Sequence, residues 1–278
     1  MLKQPLKILL SLTFSVITST QTLAQTPSTA NFSTFAEWCA AKAQLTPETQ
    51  HTVEVLLKQA QTEDCTAASE TLSRYLVLNI INSGITDVTP LTSFTSLNEI
   101  ILYNNQITDI TPLSNLTNLR RLILSNNQIS DLTPLSNLTN LTQLHIGSNP
   151  ISDLTPLSNL TQLRTLFVNR SQISDLTPLS SLTNLETLSL SNNQITDLTP
   201  LSKVTSLQEL FLDFNQITDL TPLSNLTNLT ELSLKNNDIR DVNPLRNLPN
   251  LHEIYLQNNP VARHFCPNNP DALCFIGN

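Results

Sequence analysis

Eight prolines recur at one interval: Pro90, Pro112, Pro134, Pro156, Pro178, Pro200, Pro222 and Pro244 each stand 22 residues from the last. A spacing kept that often marks a repeat array. Each unit of such an array buries its apolar face only by stacking on its neighbours. One unit reads Leu119, Leu122, Leu124, Asn127, Ile129, Asp131, Thr133, Pro134, Leu135 and Leu138. Nine units start at Tyr75, Leu97, Leu119, Leu141, Leu163, Leu185, Leu207, Leu229 and Leu251. The leucine alternation is that of a strand with one buried face. Seven apolar positions per unit are expected to point inward, each worth about 1.5–3 kcal/mol of gross burial. Chain ordering offsets most of that.

The polar positions also carry reasons. The recurrent Asn (Asn105, Asn127, Asn149, Asn193, Asn215, Asn237, Asn259) is expected to form an internal ladder that satisfies backbone groups where the chain leaves each strand. Ser83 and Ser171 replace it, so looser turns are expected there. Thr before Pro reads as a helix N-cap followed by Pro at the first helical position, with Asn243 substituting before Pro244. Few residues remain for a helix, so a short 3₁₀ turn is expected.

Stretches such as Asn126-Asn127-Gln128-Ile129-Ser130-Asp131-Leu132-Thr133-Pro134-Leu135 resemble the 22-residue leucine-rich repeats of bacterial internalins. The resemblance covers residues 75–261. It implies an α/β fold, a right-handed solenoid with short parallel strands on the concave face and 3₁₀ or short helices and turns on the convex face. Internalins typically continue into an immunoglobulin-like domain and a wall anchor. Neither is expected in the 17 residues after Val261, so host-cell invasion is not carried over.

The ends read differently. Residues 1–24 have the layout of a secretory signal peptide: Lys3 and Lys7, an apolar stretch, then Thr22-Leu23-Ala24 as a cleavage site. The apolar stretch falls short of the ~20 residues that span a bilayer, so no transmembrane segment is expected. The product is placed outside the cytoplasm, secreted or in the periplasm or cell envelope, where disulfides are permitted. Residues 25–74 form a flexible lead-in and a helical cap, with helices over 32–42 and 47–60 and a third begun by Asp64. Residues 262–278 form a C-terminal cap. Cys39 is paired with Cys65 and Cys266 with Cys274, one bridge per cap; the other connectivities would join opposite ends of an extended solenoid. A metal site at His264, Cys266 and Cys274 lacks a fourth ligand.

Composition removes several functions. Net charge is −8, moving to −10 once Lys3 and Lys7 leave with the signal peptide. Such a chain lacks the clustered cations that nucleic-acid phosphates need. Three glycines leave little for a phosphate-cradling loop. His51, His145, His252 and His264 are scattered, and no hydrolase or metalloprotease motif occurs. No catalytic residue, cofactor or metal ion is therefore expected, and the chain is read as a non-enzyme. The Asp column (Asp87, Asp109, Asp131, Asp153, Asp175, Asp197, Asp219, Asp241) is read as local backbone capping in preference to calcium binding.

The positions that vary are the informative ones. Aromatic residues are only 5% of the chain, yet Tyr103, Phe167, Phe211, Phe214 and Tyr255 gather on the concave side. Arg121, His145 and Arg170 lie among them, and Glu209, Asp213 and Glu231 make the C-terminal half acidic. Exposed aromatics flanked by charges are the composition of a protein-binding patch. The expected function is non-catalytic recognition of a protein partner through this face, by a monomer. The rival reading is a structural or adhesive surface protein.

Overall fold

The computed structural model describes residues 32–261 and 273–275. The signal-peptide and lead-in readings of residues 1–31 lie outside that range. So does the Cys266–Cys274 pairing, because neither side chain is described.

Three helices precede the repeats. Helix α1 (Phe35–Ala40) starts later than its apolar pattern suggests. A capping box fixes the start: Thr34 Oγ1 accepts the Glu37 N–H, and the Glu37 carboxylate accepts the Thr34 N–H at 3.0 Å. Helix α2 (Pro47–Ala60) has Thr46 as its cap and Pro47 in its first turn, and it ends where Gln61 turns left-handed. Helix α3 (Cys65–Ser73) is capped by Asp64, which accepts the Ala67 N–H at 2.7 Å. The Cys39–Cys65 disulfide joins α1 to α3 as expected, with Cα atoms 5.5 Å apart. Phe35, Val53, Leu56, Leu57 and Leu72 are buried and continue the apolar core past the first rung.

The repeats build one parallel sheet. Its strands are β1 (Val77–Asn79), β2 (Glu99–Ile101), β3 (Arg121–Ile123), β4 (Gln143–His145), β5 (Thr165–Phe167), β6 (Thr187–Ser189), β7 (Glu209–Phe211), β8 (Glu231–Ser233) and β9 (Glu253–Tyr255). Sequence order is spatial order, and residues one repeat apart face each other, as Leu144 faces Leu166. A tenth strand, β10 (Leu273–Phe275), pairs with β9. The repeat pattern gave no sign of it, because β10 carries none of the repeat's leucines. The inward positions of the unit from Leu119 to Leu138 are all essentially inaccessible. On the opposite side each of the first eight rungs turns through a short 3₁₀ helix, such as Thr133–Leu135.

Two polar columns tie the rungs together. The side chain of Asn127 donates to the carbonyls of Leu102 and Leu124 at 3.0 and 2.8 Å and accepts the Ile107 N–H at 3.1 Å. Its counterparts repeat this geometry, so the internal ladder is as expected. A second column, Asn118, Asn140, Asn184, Asn228 and Asn250, donates to the carbonyls of Thr95, Thr117, Thr161, Thr205 and Thr227 one rung back.

One reading needs correction. Thr does not cap the 3₁₀ turns, and neither does Asn243. Both are the first helical residue, the N-cap position falls to Leu132 or Val242, and the acceptor comes from Asp one residue before it: Asp131 Oδ1 accepts the Thr133 N–H at 2.8 Å and Asp241 Oδ1 accepts that of Asn243 at 2.9 Å. A carboxylate two residues upstream reaches the free N–H, which the hydroxyl of the same residue cannot. These bonds, from the Thr133 side chain first and its backbone second, hold the Asp131 carboxyl below the usual aspartate range.

Candidate binding face of the solenoid

Strand alternation sends every second side chain away from the leucine core, so the outward residues of nine rungs share one concave surface. None of the residues singled out for binding is buried, from Tyr103 on β2's exit to Tyr255 on β9. The structure places all of them on this face or its rim, and it divides them into groups of different character.

The N-terminal end is apolar. Leu76, Val77, Ile81 and Tyr103 are exposed by 55%, 49%, 39% and 44%, and Ile101 and Ile123 adjoin them half-buried. The outward phase of Val77 and Ile81 was the available signal for the aliphatic part of this end, whereas Leu76 shares the phase of the buried Leu78 and alternation gave none for it. Arg121 sits in this region paired with Glu99, so much of its charge is answered within the protein.

The centre is aromatic and cationic. The His145 ring stacks on Phe167, with centroids 4.3 Å apart and planes 18° from parallel. Burial first, and the Arg121 charge second, hold the His145 pKa below the usual imidazole value, so the ring is neutral at pH 7. Arg170 follows at the strand exit.

The C-terminal end is acidic. Glu209, Glu231 and Glu253 face one another in register on β7, β8 and β9. The Thr187 hydroxyl donates to Glu209 at 3.2 Å, and the Tyr255 hydroxyl to Glu253 at 2.6 Å. Desolvation, then repulsion from Glu253 and Glu209, raises the Glu231 pKa. Lys235 Nζ lies 4.4 Å from the centre of the Tyr255 ring, and Phe275 of β10 stacks on Tyr255 at 4.9 Å.

Several residues behave in ways the pattern did not disclose. Asp213 Oδ1 accepts the Ser233 hydroxyl and the Lys235 N–H at 2.8 Å. Asn169 does the same for Ser189 and the Ser191 N–H. The serines beneath are covered: Ser189 and Ser233 are buried, although alternation puts them on the open face. Asp213 thus serves the backbone of the next rung. Phe214 and Arg170 hold φ of 57° and 55° in a column where Asn82, Asn104, Asn126, Asn192, Asn236 and Asn258 take the same left-handed conformation. Asn tolerates that region and larger side chains pay for it. Phe214 is also 52% exposed.

A rigid sheet with a consensus interior and an edge-to-edge strip of non-consensus side chains defines a scaffold for surface recognition. The profile described as Leucine Rich repeats (2 copies) matches residues 117–159, 144–181, 161–203, 183–225 and 227–263, which together exceed half of the chain. The chain belongs to the leucine-rich repeat family and is internalin-like. It is similar to internalin C2 of Listeria monocytogenes, with 37% identity, TM-score 0.69, and coverage of 73% of this chain and 91% of that one. It is similar to the internalin InlF of the same organism, with 34% identity, TM-score 0.64 and coverage of 76% and 70%. A Leptospira interrogans leucine-rich repeat protein shares the fold at 24% identity and TM-score 0.68, over 74% of this chain and 56% of that one. The search of curated proteins gives no match. Among the described residues no helix is long and apolar enough to cross a membrane.

Proposed function

We propose that this chain is an exported, non-catalytic recognition module that binds a protein partner through its concave face, in the envelope or outside the cell. One observation carries the reading. In a repeat whose interior hardly varies, Phe214 stands exposed in a left-handed conformation that six other rungs give to Asn. A backbone cost held in place on an exposed aromatic points to use of that side chain. The supporting arrangement is the strip itself, apolar at one end, aromatic and cationic in the centre and acidic at the other. Nine rungs at the ordinary strand spacing give an arc of about 40 Å, enough for a folded domain or an extended segment. The test is affinity capture from the exporting organism's envelope with the intact chain and with Phe167, Phe211 and Phe214 changed together to Ala. The reading requires loss of the captured protein with an unchanged melting temperature. Equal capture by both chains sinks it and favours adhesion through another surface.

A further inference from the structure

The repeat is most irregular at one place. Ser148, Pro150, Arg170 and Ser171 depart from the consensus, and they lie with Gly147, at a variable position, where β4 and β5 end. Two hollows open there. One of about 360 Å³ is lined by Ser125, Gly147, Ser148, Phe167, Asn169, Arg170, Ser191 and Asn192. The other, about 290 Å³, shares Ser148 and Arg170 and adds Asn149, Pro150, Ser171 and Gln172. Three changes shape them. Ser171 stands where the ladder places Asn, and its buried hydroxyl finds no hydrogen-bond partner among the described residues. Ser83, the other replacement, donates its hydroxyl to the Ile81 carbonyl, and α2 covers its rung through a 2.7 Å contact from His51 Nε2 to the Ser83 carbonyl oxygen. Gly147 admits the close approach of the next rung, since a Cβ there would lie 2.9 Å from the Asn169 carbonyl oxygen. Pro150 removes the N–H that Gln128 and Gln172 donate to the preceding rung.

The lining has one sign. It holds a guanidinium, several hydroxyls and amides and one aromatic ring, and no carboxylate. Among the described residues the ion pairs join Lys42 to Glu54, Arg121 to Glu99 and Arg164 to Glu186, and none involves Arg170. We propose that this notch receives a carboxylate of the protein partner, an Asp or Glu side chain held by Arg170 among the hydroxyl and amide groups of the lining, beside an apolar group on Phe167. The inference rests on the concave-face reading and adds the chemistry of the partner. A guanidinium among neutral hydroxyl and amide donors, with no carboxylate in the lining, suits a carboxylate. The glutamates of β7 to β9 lie two to four strand spacings away, roughly 10–20 Å. They call for basic groups on the same segment. In an extended chain that is a separation of about three to six residues between acid and base.

Selection of a random dodecapeptide display library on the immobilised chain tests this. The pool selected on the intact protein is expected to be enriched in Asp or Glu about three to six residues from Lys or Arg. The pool selected on Arg170→Asn keeps the basic enrichment and loses the acidic one. Asn is the residue other rungs carry at that backbone position, so this variant folds. The best synthetic peptide is then expected to lose about tenfold in affinity when its acidic residue becomes Gln, and to show no such loss on Arg170→Asn. Ser171→Asn restores the ladder: the melting temperature is expected to rise while the same peptide binds more weakly. Acidic enrichment that is absent, or that persists on Arg170→Asn, overturns the notch. So does a Ser171→Asn variant that gains stability and binds unchanged. Basic enrichment abolished by Glu231→Gln, with no acidic component, removes the notch and leaves the concave-face reading standing. A pool unaffected by the triple aromatic variant removes that reading.

Discussion

Ser148, Arg170 and Phe214 interrupt an exposed column of asparagines whose amides bond from rung to rung where they adjoin, as Asn258 does to Asn236 at 2.8 Å. Replacing Phe214 by Asn repairs the column and relieves the side-chain cost of the left-handed backbone. Stability is expected to rise by up to about 1 kcal/mol, read as a higher denaturant midpoint, while partner capture falls. A variant that loses stability would show instead that the ring contributes packing. His145 supplies a second measurement. Burial first, and the neighbouring Arg121 charge second, favour the neutral ring, so its folded pKa lies below the unfolded one. The stability tied to neutral His145 is full above about pH 6.5 and is lost as pH falls through the depressed folded value. A proton-NMR titration of the imidazole is expected to give a midpoint below about 6.5. A midpoint at or above it contradicts the burial described.

At the scale of elements, the rungs were legible because one period writes strand, ladder and turn in the same order along the chain, with Ser in place of the ladder Asn in two units. The caps were legible in part. Thr46-Pro47 and Asp64 marked the starts of α2 and α3, whereas the Thr34 to Glu37 capping box, which sets the start of α1, went unread beneath the apolar pattern around it. Strand β10 was not legible at all, since it borrows its pairing from β9 instead of carrying a repeat. The Cys39–Cys65 bridge closes a chain separation of 26 residues. On a chain-entropy account it stabilises the cap by about 3–4 kcal/mol. Changing both cysteines to Ala is expected to lower the denaturant midpoint and to expose the first rung to early hydrogen exchange while rungs five to seven keep their protection. Uniform loss across all rungs would mean the array does not unfold from its ends. Within the array, Leu166→Ala removes a fully buried side chain from the sheet's inner face and is expected to cost about 2–5 kcal/mol in equilibrium denaturation.

Across the whole molecule, charge sets the pH response. Asp131, Asp175, Asp197 and Asp219 have folded pKa values below the ordinary one, because Thr side chains first and Thr N–H groups second bond to their ionised form. Their contribution is present above the unfolded pKa, near 3.9, and lost as pH falls through the depressed folded values. Glu231 has the opposite sign. Its folded pKa is raised, so at neutral pH its ionised form opposes folding, and that opposition fades as acidification protonates it. Glu231→Gln is therefore expected to stabilise the protein at pH 7, with an advantage that shrinks towards pH 4 and at high salt. An advantage that grows on acidification would contradict the repulsion between the three glutamates.

The spacing of proline, leucine and asparagine determined the solenoid, because a repeat too small to bury its own apolar face has only stacking as a solution. It also determined which side chains face outward, since alternation along a strand fixes that from Leu122 and Leu124 alone. Tertiary structure decided what those side chains do. Asp213 and Asn169 turn back to bond the next rung, Ser189 and Ser233 vanish beneath them, and Arg121 spends its charge on Glu99. Each of these contacts joins residues 20 or 22 positions apart. Whether an outward group stays free depends on the neighbour one rung away, and a pattern read along the chain does not contain that neighbour's reach.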